Sequence, residues 1–200
     1  MRITTSTLLA ILIAPALALA TPAASAQDTN TKPQNLLRNG NLASGSGEQT
    51  PGWNFSKWTL KPDSPLVERG IAEDTDGTRF LRLALPAAGN AHVWFQQEIA
   101  AEGGSTYLLT FKYRGTRQKP EDGPDGWASL PCGIYFYDVS NKWLGFERVQ
   151  DLKFTKDWTP HTVKVTAPDN ATRIGVRLAI ETTIACEVNF PDVVLILKGE

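Results

Sequence analysis

Soft metal ligands are scarce in this 200-residue chain: two cysteines, two histidines and one methionine. His92, His161, Cys132 and Cys186 show no close ligand spacing, so a zinc centre is not expected. Charge of one sign is lacking too, with 20 basic against 21 acidic side chains and no long basic cluster. That balance argues against nucleic acid or an anionic membrane surface as partner. Past the N-terminus no apolar run is long enough to cross about 30 Å of hydrocarbon, so membrane insertion is not expected. There is no Gly-x-Ser-x-Gly elbow, no phosphate-binding loop, no amphipathic helix after residue 26 and no internal repeat.

The N-terminus is the one strongly apolar stretch. Arg2 is followed by a run from Leu8 to Ala20 and by Ala24-Ser25-Ala26, the layout of a secretory signal peptide. The run is short for a membrane anchor and Pro15 interrupts it. No cysteine lies near the cleavage point, which argues against a lipoprotein. The expectation is a signal peptide over 1–26, a polar leader over 27–34 and one domain over 35–200, secreted or periplasmic. An even pair of cysteines in an oxidising compartment predicts a Cys132–Cys186 disulfide, the alternative being two buried free thiols. Such a bridge would contribute about 3 to 5 kcal/mol.

The rest reads as short strands. Ile174, Val176, Leu178 and Ile180 alternate with Arg173, Gly175, Arg177 and Ala179, and Val163 and Val165 alternate with Thr162, Lys164 and Thr166. Period two with one apolar face is a half-buried strand. Strands are predicted at 53–60, 79–85, 92–99, 106–114, 132–139, 143–149, 160–166, 172–180 and 186–198. Turn residues separate them, as in Asp74-Thr75-Asp76-Gly77 and Pro168-Asp169-Asn170. Many short strands at this spacing predict an all-β sandwich or barrel. Residues 115–131 form a Gly- and Pro-rich loop around Trp127, a setting in which function often resides.

Several segments, in order, resemble the cellulase-associated carbohydrate-binding modules of the family 4/9 type. They are Asn35-Leu36-Leu37-Arg38-Asn39-Gly40-Asn41-Leu42, Pro51-Gly52-Trp53, Gln97-Glu98-Ile99 with Gly104 and Tyr107 to Phe111, Tyr135-Phe136-Tyr137-Asp138, Asp157-Trp158 and Phe190-Pro191-Asp192-Val193. The resemblance implies a galactose-binding-like jelly roll, two antiparallel sheets packed as a sandwich. It implies noncatalytic binding of a polysaccharide or glycan on one sheet face. It implies, in many members, a structural calcium ion, for which Asp192, Asn41 and backbone carbonyls are the available donors. Ala43 stands where the family usually has Glu, and Pro191 precedes Asp192 where the family often pairs two Asp.

A sugar ring presents an apolar face and a rim of hydroxyls, so its contacts should be flat aromatics and planar polar groups outside the core. Alternation places Trp94, Gln96 and Glu98 on the outward side of one strand, with Val93, Phe95, Gln97 and Ile99 inward. Tyr135 and Tyr137 are outward if Ile134 and Phe136 are core. Arg114, Arg173 and Arg177 are outward on their strands. The candidate contacts are therefore Trp94, Gln96, Glu98, Arg114, Trp127, Tyr135, Tyr137, Trp143 and Arg177. Trp53 and Trp158 are expected in the core.

Two other readings share the fold. A jelly-roll lyase or glycosidase would need facing carboxylates or a Tyr or His base, and the spacing of Glu98, Asp138 and Glu147 singles out no pair. A protein-binding adhesion or scaffold domain would take a protein partner, such as a secreted enzyme, instead. No cofactor is required by any of these readings beyond the calcium.

Overall fold

The computed structural model describes residues 33–58, 66–118 and 126–198. The signal peptide expected over 1–26 and most of the leader lie outside them.

Twelve strands are found among the described residues: β1 (Asn54–Trp58), β2 (Glu68–Glu73), β3 (Arg79–Leu85), β4 (Ala91–Ala100), β5 (Thr106–Arg117), β6 (Ala128–Ser129), β7 (Gly133–Tyr137), β8 (Trp143–Arg148), β9 (Thr159–Thr166), β10 (Arg173–Thr182), β11 (Cys186–Phe190) and β12 (Val193–Leu197). One sheet runs β1-β4-β10-β7-β8, with β6 also against β10. The other runs β12-β5-β11-β3-β2, with β9 also along β5. All pairings are antiparallel, as a jelly-roll sandwich requires.

Alternation builds the core. Val93, Phe95, Ile134, Val176 and Leu178 from the first sheet join Leu83, Leu109, Phe111, Val188 and Leu195 from the second in one buried cluster. Tyr107 and Tyr113 share that face of β5, as their spacing predicts. Gln97 is buried among these apolar groups, and its amide is fully used. Its carbonyl accepts from the Arg38 N–H and its NH2 donates to the Arg38 carbonyl at 3.0 Å. It thereby fixes the entering chain against β4 and leaves no buried polar group of its own unpaired. Asn35 does the same at β12, donating to the Val193 carbonyl at 2.9 Å and accepting from the Leu195 N–H at 3.0 Å.

The strand boundaries differ from the sequence reading at three places. The strand expected over 186–198 is two strands, because Pro191 has no N–H to continue the ladder. The edge strand β2 was not expected, since its residues ERGIAE carry little apolar alternation. The 115–131 loop is shorter than it reads: β5 runs on to Arg117 and Ala128–Ser129 pair with Thr182 and Glu181, with 119–125 outside the described residues.

The Cys132–Cys186 disulfide is not formed; both thiols are free and buried. Cys132 leads into β7 in the first sheet and Cys186 opens β11 in the second. The Cys132 sulfur is engaged by the Ala179 backbone on β10, accepting from its N–H at 3.4 Å. Burial pushes the Cys132 thiol up to about 12 and the Cys186 thiol up to about 11. These are inert core groups rather than reactive thiols.

Candidate functional site

The outer face of the first sheet is built around β10, which lies between β4 and β7. Its outward positions read Arg173, Gly175, Arg177, Ala179 and Glu181, so large and small groups alternate along the middle of the sheet. Register sets their neighbours. Gly175 pairs with Glu98 on β4 and Tyr135 on β7, and Arg177 pairs with Gln96 and Gly133.

The glycines decide how the aromatics lie. A Cβ at Gly175 would sit 2.1 Å from Tyr135 Cζ, so the tyrosine ring occupies the space above that glycine. Its hydroxyl then reaches two strands across and donates to Glu98 Oε1 at 3.0 Å. A Cβ at Gly133 would likewise come within 2.9 Å of the Phe146 ring. Two strand glycines thus create the room for two rings to lie down against the sheet. Trp143 stacks on Tyr135 with centroids 5.6 Å apart and planes at 12°, while Tyr137 meets both edge-on at 5.7 and 5.4 Å. Burial, then the Glu98 charge, holds the Tyr135 phenol well above its ordinary range, so it stays a donor.

Arg177 is at the centre. Its guanidinium carbon lies 4.9 Å from the Trp94 ring centroid, 5.2 Å from Tyr135 and 5.6 Å from Phe146. Trp94 is itself fixed by its indole N–H, which donates to Gln96 Oε1 at 2.8 Å. Arg173 donates to Glu98 Oε2 at 3.2 Å and to Asn141 Oδ1 at 2.7 Å, and lies 4.9 Å from the Tyr137 ring centroid. Asn141 is held in a turn where Asp138 accepts from Ser140 and Lys142, and those bonds keep the Asp138 carboxyl below its usual range. Gln96 and Glu98 also border an open cleft of about 820 Å³ at the β1–β4 edge, lined further by Arg38, Gln49, Pro51 and Asn54.

Seven of the nine candidates therefore lie on one face, Trp94, Gln96, Glu98, Tyr135, Tyr137, Trp143 and Arg177, but Tyr135 is only 1% exposed: contrary to expectation it is covered by its neighbours and supports the face rather than standing open on it. Arg114 does not join them. It points outward as its alternation requires, but β5 belongs to the opposite sheet. There it pairs with Asp74 at 2.7 Å and lies 4.1 Å from the Trp158 ring centroid. Trp158 is a second correction: it is half-buried outside the core, packed at 5.8 Å on Phe80 of the second sheet's outer face. Trp53 is in the core, as expected. Trp127 is 48% exposed and lies at the far end of the first sheet with Trp58, 57% exposed, around a recess of about 50 Å³ beside His92 and Glu181. Burial lowers the His92 imidazole below its usual range, and its Nε2 is enclosed without a hydrogen-bond partner among the described residues.

Sequence reasoning missed Phe146, Gly133, Gly175 and Trp58. The glycines carried a signal, each being a gap in an otherwise apolar or charged strand, but its meaning depends on which aromatic lies beside it.

Asp192 is exposed and lies between β11 and β12, where its carbonyl accepts from the Lys112 N–H. Asn41 Oδ1 accepts from the Ala43 N–H at 3.3 Å. Among the described residues no three His, Cys, Asp or Glu side chains converge.

No family model matches the chain, and no curated protein does. Solved structures do. The enzymatically active domain of bacteriophage CBA120 tailspike protein 4 superposes with a TM-score of 0.61 at 17% identity, covering 82% of this chain and 21% of that one. The chain thus spans about a fifth of that tailspike domain's length. A CBM4 structure matches with a TM-score of 0.53 at 21% identity, covering 81% of this chain and 99% of that one. TmCBM61, solved with β-1,4-galactotriose, matches with a TM-score of 0.51 at 15% identity, covering 82% and 99%. At these identities the likeness establishes the two-sheet jelly-roll fold.

Proposed function

We propose that this chain is a secreted, noncatalytic carbohydrate-binding domain that holds a polysaccharide or glycan on the outer face of the β1-β4-β10-β7-β8 sheet. The observation that carries the reading is the patch formed by Trp94, Tyr137 and Trp143 around Arg177, backed by the buried Tyr135 ring, with Gln96, Glu98 and Arg173 at its margins. Flat rings suit the C–H face of a pyranose, and planar amide, carboxylate and guanidinium groups suit its hydroxyls. The patch is rigid before any ligand arrives, because every ring in it touches another ring or a guanidinium, and preorganised groups lose less entropy on binding. Structures with this fold include modules whose names state carbohydrate binding, which supports the reading.

A glycan array screened with the purified domain, with product analysis of every hit, tests it. Retention on a polymer without cleavage is the expected result. New reducing ends or unsaturated products would instead make the domain an enzyme, a reading kept open by the tailspike's enzymatically active domain. Binding to no glycan would favour a protein-binding scaffold.

A further inference from the structure

We propose that the glycan bound on this face carries carboxylates, as uronic acid units, and that Arg177 is the group that reads them. This rests on the carbohydrate-binding reading above and narrows it to a substrate class.

Arg69, Arg79, Arg82, Arg114 and Arg173 each have a carboxylate within 4.0 Å. Arg177 makes no such ion pair among the described residues. Instead it is surrounded by the rings of Trp94, Tyr135 and Phe146, and its Nε is enclosed with no acceptor among the described residues. Burial lowers its affinity for a proton, in keeping with an uncompensated cation. A half-buried cation without an anion is costly, and ring faces recover only part of the loss.

The carboxylate nearest in the register does not compensate it. Glu98 is occupied by the Tyr135 hydroxyl and by Arg173. Gly133, the β7 partner of Arg177, pairs on its other side with Arg148, so a second guanidinium-bearing residue without an ion pair among the described residues stands in the same row. The centre of the platform is therefore a positive site within a chain whose formal net charge is −1. A guanidinium meets a carboxylate through two parallel hydrogen bonds. A uronate supplies both requirements at once, a pyranose face to stack and a carboxylate at its rim.

The test compares polygalacturonate, alginate and glucuronoxylan with the same polymers after carboxyl reduction, by affinity electrophoresis and calorimetry on the full chain. We expect at least one acidic polymer to bind about tenfold or more tightly than its reduced counterpart. That preference should fall with added salt and be largely lost in Arg177→Gln, whose fold is checked by circular dichroism. Arg177→Lys, which keeps the charge and loses the fork, should recover part of it. Equal binding of acidic and reduced polymers would overturn the uronate inference while leaving glycan binding intact. An acid preference undiminished in a folded Arg177→Gln would overturn the role of Arg177. Binding to no polymer of either kind, nor to a broad neutral glycan array, would overturn both readings. If Arg177→Gln does not fold, the wild-type comparison of acidic with reduced polymers decides alone.

Discussion

The Tyr135 hydroxyl bonds to Glu98 by crossing Gly175, a glycine whose missing side chain is what lets the ring lie there. Three strands are tied in one outer-face contact, and the tyrosine that stacks with Trp143 is placed by the side chain that Gly175 lacks.

Gly175→Ala is accordingly a sharp test of the platform. The new methyl would meet the Tyr135 ring at 2.1 Å, so the ring must lift and release Glu98. Unfolding in urea should show a loss of about 1–3 kcal/mol, and glycan affinity should drop with it. A variant with wild-type affinity would show that Tyr135 in this pose is not needed.

Trp143→Ala and Arg114→Ala should separate the two outer faces. Removing the Trp143 ring, 44% exposed and stacked on Tyr135, should weaken binding about fivefold, the equivalent of about 1 kcal/mol for an aromatic contact. Removing Arg114 breaks its pair with Asp74 and uncovers Trp158, which should cost about 1–2 kcal/mol of stability and leave binding unchanged. If Arg114→Ala weakened binding as much as Trp143→Ala, the first sheet would lose its standing as the binding sheet.

The thiols offer a redox prediction. With both cysteines free and buried, adding a reductant should leave the melting temperature where it is. Iodoacetamide at pH 8 should label neither until the chain is unfolded, since both thiols are held above their usual range. A clear fall in melting temperature on reduction would show that a bridge forms after all.

His92 gives the fold a pH dependence. Its imidazole titrates below 6.5 in the folded chain because burial disfavours the cation, with Arg177 and Arg148 adding to the effect and Glu181 opposing it. The unfolded chain therefore binds the proton first. Stability from this group is present above pH 6.5 and is lost as pH falls through the lower folded value. Thermal scans from pH 7.5 to 5 should show a decline that is shallower in His92→Asn. Parallel curves for the two proteins would remove His92 as the cause.

The in-and-out pattern was legible in the strands that the sequence marks. Trp94 and Val93, or Tyr135 and Ile134, fall on opposite faces as period two demands. Sheet membership was not legible. Arg114 and Arg177 look alike in sequence, each an outward arginine in an apolar strand, and they end on opposite faces of the molecule because β5 and β10 belong to different sheets. Local pattern reports the side of a strand and says nothing of its neighbours, which are set by long-range pairing. Trp158 misled for a related reason: its bulk suggested the core, yet Phe80 and Arg114 cover it from outside. The cysteine pair misled because parity and compartment carry no geometry.

The first and last described segments of the domain are neighbours. Leu36 donates its N–H to the Leu195 carbonyl at 2.8 Å, and Asn35 clamps Val193 and Leu195, so the first described segment runs beside the final strand. That strand belongs to the sheet opposite the aromatic platform. A circular permutant, with these neighbours joined by a short linker and new ends opened at the Asp74–Thr78 turn, should fold and keep its platform intact.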